Sequence, residues 1–274
     1  MTATQTPPRL GTVSRIIPGA LFDVRRPQRL IERSLTVYRR NPMIIITGFF
    51  EPLFYLLSIR IGLAELVGDV EDRGRLIPYA EFVAPGLMAA AAMNGAVFDS
   101  TMNIFFKIRV SKLYDAVLAT PLSAGDVAVG EIGFAVIRGL LYSTAFLFTM
   151  VALDMAESGW IVLALPACAL IGFAFASIGM ACTTYMRSWA DFEYIPAVTM
   201  PLFLFSATFY PLSSYGDWSW VVQLSPLFHG VELVRAANFG EFSWSLLVNV
   251  GVLVALTVVG MTITARRIRT LLLT

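Results

Sequence analysis

One stretch of the sequence limits the fold more than any other, because residues 158–186 contain no charged side chain. A helix needs about 20 consecutive apolar residues to cross a bilayer, and this run exceeds that length. The chain as a whole is 57% apolar and 14% charged, whereas soluble domains carry about 25% charged residues. The sequence therefore predicts an integral membrane protein with one membrane domain.

Five more apolar segments have a similar length, so the sequence predicts six membrane-spanning helices in an all-α fold. The predicted spans cover about 43–63, 82–106, 127–153, 158–186, 194–209 and 244–265. The second and third must absorb Asp99, Glu131 and Arg138, and a charge at the centre of a span costs about 2.5–3.5 kcal/mol. We assign residues 43–274 to one transmembrane domain.

Residues 1–42 are basic and too polar to cross a membrane, and they form a separate N-terminal segment. Ile31, Leu35 and Tyr38 fall on one face of a helix, and Pro42 ends the pattern. The arginines of this region lie mostly on the other faces. Such a pattern is typical of an amphipathic helix in the membrane interface. A solvated basic tail is the alternative.

The longest polar interruption between the spans covers residues 107–131. Its first basic residues are Lys107, Arg109 and Lys112. Apolar residues then recur at helical spacing, at Val110, Leu113, Val117 and Leu118. Thr120-Pro121 ends the helix, because a residue before proline avoids the helical conformation, and Ser123 and Asp126 have the spacing of a capping box. We predict an amphipathic helix and a tight turn at a membrane surface; an ordinary basic loop is the alternative.

Basic residues are distributed unequally between the two sides that six spans define. The side with both termini and residues 107–126 carries both lysines and most arginines, whereas the other side carries only Arg73, Arg75 and Arg235. The positive-inside rule therefore places both termini and the 107–126 stretch in the cytoplasm.

The segment 210–243 is too apolar for an ordinary loop, yet prolines and glycines divide it into pieces too short to span. We predict two short re-entrant helices that dip into the outer leaflet between spans five and six. A hairpin lying flat on the membrane is the alternative. His229, Glu232 and Arg235 are spaced by three and share a helix face. That face is predicted to line a substrate path, unless Glu232 and Arg235 merely pair and anchor the segment.

The sequence contains no catalytic motif. Residues 125–130 have the glycine spacing of a phosphate loop but lack the Lys-Ser/Thr that should follow. A single histidine, His229, excludes a zinc site built on several histidines. The net charge of +1 gives no general reason to expect nucleic-acid binding. We predict no enzyme activity, no metal and no cofactor bound by this chain.

Charged residues inside the predicted spans are the remaining candidates for function. They are Glu51, Asp99, Glu131 and Arg138. A substrate path or a proton relay would use such groups, whereas charges that pair between helices, or reach toward the interface, would only hold the bundle together. We take Glu51 and Arg138 as substrate-path candidates, together with His229, Glu232 and Arg235.

Several motifs together resemble one protein family. They are FFEPLFYLLSIRIGL (49–63), YAEFVAPGLMAAAAMNGAVFDSTMN (79–103), YDAVLATPLSAGDVAVGEI (114–132), GFAFASIGMA (172–181), FLFSATFYPL (203–212) and LSPLFHGVELVR (224–235). The chain resembles the membrane subunits of type-2 ABC exporters, most closely the nodulation-factor (lipo-oligosaccharide) export permeases of the NodJ kind. One departure is Ala207, where many relatives have glycine before the aromatic-proline turn.

The resemblance implies a permease subunit that moves an amphiphilic, lipid-linked, glycan or drug-like substrate out of the cytoplasm or the inner leaflet of a bacterial cell membrane. Its partners would be a second permease copy or paralogue and a separate ABC ATPase, which binds ATP and magnesium. Residues 107–121 would form the coupling helix. Its implied ATPase contacts are Lys112, Leu113, Tyr114, Asp115, Val117, Leu118, Thr120 and Pro121. An ion-coupled secondary transporter and a membrane-embedded lipid-modifying enzyme are the alternatives.

Overall fold

The computed structural model describes residues 25–39, 50, 53–111, 113–114 and 122–273, which are mostly helical. In chain order the elements are α1 (Arg25–Arg39), α2 (53–67), β1 (Asp69–Asp72), β2 (Arg75–Pro78), α3 (Tyr79–Val110), α4 (Ala124–Ala152), α5 (Gly159–Thr183), α6 (Tyr194–Leu204), α7 (Ser219–Gln223), α8 (Pro226–Phe239) and α9 (Ser245–Leu273). Short helical turns precede α6 at Trp189–Glu193 and α7 at Leu212–Trp218.

Four helices of the described part are long and apolar enough to cross a bilayer, namely α3, α4, α5 and α9. They coincide with the second, third, fourth and sixth predicted spans. The first predicted span begins outside the described residues and ends within α2. The fifth is shorter than predicted, because α6 ends at Leu204 and a turn and bends follow it. The chain is a multi-pass membrane protein, and its six-span count stays a prediction.

Helix α3 forms the centre of the bundle. Its apolar segment is 78% buried, whereas that of α9 is 17% buried. It packs against α4, α5 and α8. At its crossing with α4, a methyl group on Gly139 would lie 2.9 Å from the carbonyl oxygen of Ala92. Because small residues let membrane helices approach closely, the run of alanine and glycine in 86–96 allows α3 to take this central place.

Helix α1 packs against the first half of α4. Leu30 is buried, and a Cβ atom on Gly130 would lie 3.0 Å from Leu30 Cβ. Gly133 opposes Ile31 in the same way. The exposed residues of α1 include Arg29, Glu32 and Arg33. The helix is therefore amphipathic, and α4 covers part of its apolar face.

A two-stranded hairpin lies between α2 and α3 and corrects the all-α prediction. Strands β1 and β2 are antiparallel, with Asp72 opposite Arg75. The two turn residues, Arg73 and Gly74, have φ values of 52° and 78°. A two-residue hairpin turn of type I′ requires positive φ at both central positions, which suits glycine. The charged residues of this segment gave no sign of a strand, because they do not alternate clearly with apolar ones.

The segment between α6 and α9 forms two short helical pieces. The first is Leu212–Trp218 with α7, and Gly216, at φ 50°, kinks it. The second is α8, which Pro226 begins and Gly240 ends. Because α8 packs against α3, α5 and α9, it belongs to the bundle and is not a hairpin lying free on its surface. Its depth in a bilayer stays a prediction.

Candidate functional site

A cavity of about 510 Å³ lies between α2, α3, α4 and α6. Its walls are mostly apolar and include the rings of Phe98, Phe146 and Phe203. The main polar side chains in the lining are Asn94, Arg138, Tyr142 and Thr199. An apolar cavity with a few converging polar groups is the usual form of a small-molecule site.

Arg138 carries the positive charge of this cavity and is held from three sides. Its guanidinium pairs with Asp99 at 2.8 Å, and its Nε donates to the Tyr142 hydroxyl at 3.0 Å. It also lies 4.7 Å from the ring centre of Phe98. Asp99 is 2% exposed, and a carboxylate that is so deeply buried needs a cation beside it. The predicted substrate-path residue Arg138 is thus paired between α3 and α4 while it also lines the cavity.

The backbone of α3 changes at this pair. Residues Asp99–Asn103 form a π-helical turn, which is wider than an α-helical one. Such turns frequently mark functional sites in membrane and soluble helices alike. The Thr183 hydroxyl of α5 donates to the Ser100 carbonyl at 3.0 Å, so the widened turn is bonded to a neighbouring helix.

Some residues that line the cavity could be predicted from the sequence, and others could not. Tyr142 lies four residues after Arg138, and this spacing places both on one helix face. The spacing is therefore a sequence signal that could identify Tyr142. The sequence near Thr199 and Phe203 does not indicate that they line the cavity, because their position depends on how α6 packs against the other helices.

A second buried ion pair joins the end of α3 to the beginning of α4. Lys107 Nζ lies 2.5 Å from a Glu131 carboxylate oxygen, and both side chains are largely buried. Glu131 is therefore neutralised between helices, as Asp99 is. At the same end of α4, Ser123 and Asp126 form the predicted capping box.

Tyr114 lies in the interior beside this pair. It is 1% exposed and belongs to a cluster with Ile104 and Ile132. Burial and the neighbouring Glu131 carboxylate raise the pKa of Tyr114 well above its ordinary value, so the phenol stays neutral. The resemblance implied that Tyr114 touches a partner, whereas the structure places it in the core, with Leu113 partly buried in the same cluster. Tyr114 thus packs into the core just after the end of α3.

The other implied coupling residues fall outside the described part of the chain. They are Lys112, Asp115, Val117, Leu118, Thr120 and Pro121. The substrate-path candidate Glu51 also lies outside it.

The polar face of α8 connects separate parts of the bundle. Arg235 is 2% exposed and donates to the Ala207 carbonyl oxygen at 2.8 Å, and its guanidinium lies 4.2 Å from the ring centre of Phe82. Glu232 lies 3.3 Å from Arg235 and also pairs with Arg73 of the hairpin. These contacts favour the alternative in which Glu232 and Arg235 anchor the segment. The third candidate, His229, bonds Asn249 of α9 at 2.8 Å.

Metal-binding groups are sparse where the structure can be described. Among those residues, no group of three or more histidine, cysteine, aspartate or glutamate side chains is placed to hold a metal ion.

Comparison with known proteins identifies the family. The profile of the ABC-2 type transporter family matches residues 28–239, which include the cavity, both ion pairs and α8. Nodulation protein J of Sinorhizobium fredii is 32% identical over 74% of this chain and 80% of its own length. Nodulation protein J of Rhizobium meliloti is 30% identical over 79% of this chain and 84% of its own. The chain therefore belongs to the ABC-2 type transporter family.

Proposed function

We propose that this chain is the permease subunit of an ATP-driven exporter for an amphiphilic substrate, lipid-linked, glycan or drug-like. The main observation in support of this function is the cavity between α2, α3, α4 and α6. Its aromatic and apolar walls suit the hydrocarbon or ring part of such a molecule. Asn94, Tyr142 and the exposed edge of Arg138 offer hydrogen bonds to its polar part. Family membership supports a transporter's membrane component, and the relatives are named for nodulation.

A separate ABC ATPase, which binds ATP and magnesium, would drive transport. The segment 107–121 would meet it in the cytoplasm. Two helices, α3 and α4, connect that segment to the cavity, since Lys107–Glu131 joins them at one level and Asp99–Arg138 at another. A displacement of the segment would therefore reach the cavity through two ion-paired helices.

The remaining parts follow the same proposal. Six spans with both termini in the cytoplasm would cross the bacterial cell membrane, with residues 1–42 as the cytoplasmic segment. A second copy or a paralogue would complete the permease. The proposed function requires no nucleic acid and no cofactor bound to this chain.

Filling the cavity tests the proposed function. Ala91 lines it, and we expect Ala91→Phe to lower ATP-dependent export in reconstituted vesicles by roughly tenfold, because the added ring would take space that the substrate needs, and a loss of about 1.4 kcal/mol in binding is a factor of ten. Co-purification of the ATPase should stay normal. Val258→Phe is the matched control, since Val258 lies on the exposed face of α9.

Two results would contradict the proposed function. One is export by Ala91→Phe at the wild-type rate. The other is transport that continues without an ATPase and stops when a protonophore removes the proton gradient, which would identify an ion-coupled transporter.

A further inference from the structure

A second cavity of about 520 Å³ opens beside the hairpin. The end of α2, strand β1, the first residue of α3 and the segment 209–214 surround it. The two cavities share none of their lining residues among those that the structure describes. It is therefore a distinct space, next to elements that the proposed topology puts outside the membrane.

The wall of this cavity is acidic. Asp69 and Glu71 line it, and strand residues two apart point to the same face. Neither carboxylate forms an ion pair within the described part of the chain. The nearby hairpin arginines are engaged elsewhere, because Arg73 pairs with Glu232 and Arg75 pairs with Glu241 at 2.7 Å. No lining side chain in the described residues is basic, so within that part of the chain no cation lines the cavity beside the two carboxylates.

Tyr79 supplies a second and independent sign of a ligand. It lines the cavity and is 6% exposed. Its hydroxyl has no hydrogen-bond partner among the residues that the structure describes. The ring of Tyr79 is buried, whereas its hydroxyl stays accessible in the cavity, so it can bond a ligand there. The rings of Tyr79, Phe209 and Tyr210 provide aromatic surface in the same cavity.

We propose that this cavity binds an organic cation, namely an ammonium group attached to an apolar chain or ring. Carboxylates neutralise the charge, and aromatic faces attract it through their quadrupoles. Leu63 and Val67 suit the apolar part. A primary ammonium would also donate to the Tyr79 hydroxyl oxygen. A neutral saccharide would leave both carboxylates without a counter-charge, and a small metal ion would gain nothing from the rings. The site goes beyond the transport role, and only its outward position rests on the proposed topology.

Calorimetric titration of the full-length protein tests this site. The protein is held in a non-ionic polyoxyethylene detergent, which carries neither amine nor sugar. We expect saturable binding of benzylammonium and benzyltrimethylammonium at neutral pH, weakened by salt, as screening of charge requires. Asp69→Asn with Glu71→Gln should weaken both ligands by about tenfold, whereas Asp217→Asn, an exposed carboxylate outside the lining, should change neither.

A single conservative change separates the two probes. Tyr79→Phe keeps the ring and removes the hydroxyl, so benzylammonium should bind about fivefold more weakly, the value of one hydrogen bond. Benzyltrimethylammonium has no N–H group, and its binding should not change. This comparison tests whether the ligand binds in the cavity even if the double variant does not fold.

Three results would overturn the proposal. They are no binding to the wild type, equal binding of neutral benzyl alcohol or of maltotetraose, and unchanged binding by a folded double variant. Because the titration contains no ATPase and no transport step, failure of the exporter function would leave its outcome unaffected.

Discussion

Arg235 contacts three groups that one guanidinium can bind at the same time. Its guanidinium donates to the Ala207 carbonyl, lies over the Phe82 ring and faces Glu232. A planar fork makes these contacts at once, whereas a lysine offers one point charge. The three-residue spacing correctly placed Glu232 and Arg235 together, but spacing alone does not show which partners occupy a face.

Replacement of Arg235 distinguishes an anchor from a substrate-path residue. We expect Arg235→Leu to lower the free energy of unfolding by about 3 kcal/mol, because breaking a buried pair leaves Glu232 and the Ala207 carbonyl without their partner. Thermal melting in detergent measures this, and Arg235→Lys should recover only part of the loss. Arg75→Leu, at an exposed pair, should cost less than about 1 kcal/mol. A protein that melts like the wild type but fails to export would show that Arg235 acts in transport.

Ala207 occupies a backbone conformation that favours glycine. Its φ is 56°, and its carbonyl is the acceptor for Arg235. Residues with a Cβ pay about 1–2 kcal/mol in the left-handed region, and β-branched side chains fit it worst. We therefore expect the melting temperature to follow the order Gly ≥ Ala > Val at position 207.

A helical position should give a different order. Ala255 lies on the exposed face of α9, where alanine is favoured and glycine costs about 1 kcal/mol. The expected order there is Ala > Val > Gly. If the melting temperatures at position 207 follow the same order as those at position 255, the left-handed backbone conformation does not determine which residue is preferred at position 207.

Among the secondary-structure elements, the sequence predicted the membrane-spanning helices best, because the thickness of the bilayer sets their length. Helices α3, α4, α5 and α9 match predicted spans, because only a long apolar helix satisfies its backbone in hydrocarbon. The hairpin and the early end of α6 were not predicted. The hairpin depends on positive φ values at Arg73 and Gly74, and α6 ends where Phe205 leaves the helical region, at φ −107° and ψ 43°. Composition reports neither. Tyr114 shows a similar limit, since helical spacing identifies a face but not what covers it.

The contact between α1 and α4 depends on one glycine. Leu30 and the Pro27 carbonyl leave little room for a side chain at Gly130, so we expect the branched side chain of Gly130→Val to displace α1. Hydrogen–deuterium exchange in residues 27–39 should then rise by about tenfold as that packing is lost. Gly251→Val in α9 is the control, because the described residues leave open space there. Unchanged exchange in Gly130→Val would mean that α1 is held by other contacts.

At the scale of the whole molecule, one end of the bundle gathers basic residues. After the last turn of α5, Tyr185 lies 4.2 Å from the Arg267 guanidinium. Arg109, at the end of α3, donates to the Met186 carbonyl at 3.1 Å. Lys107 lies on the same stretch of α3. The ends of α3 and α9, which are remote in sequence, thus bring their cations to one end, where the residues after α5 contact both.

The other end of the bundle has a different character. Trp160, at the beginning of α5, packs against Phe242, and the hairpin joins α8 through Arg73 and Glu232. Its basic side chains in the described residues are chiefly Arg73 and Arg75, fewer than at the opposite end. The positive-inside rule, applied to these two ends, predicts that the basic end faces the cytoplasm, and this orientation stays a prediction.

Labelling of intact cells with a membrane-impermeant maleimide tests this orientation, in a background where Cys168 and Cys182 are replaced by alanine. Val70→Cys and Asp217→Cys lie at the hairpin end and should react, because that end faces outward. Thr270→Cys, beyond the basic end, should react only after the cells are permeabilised, which also controls for its accessibility. Since α9 connects the two ends, reaction of position 270 in intact cells would invert the topology and place the proposed coupling segment outside the cell.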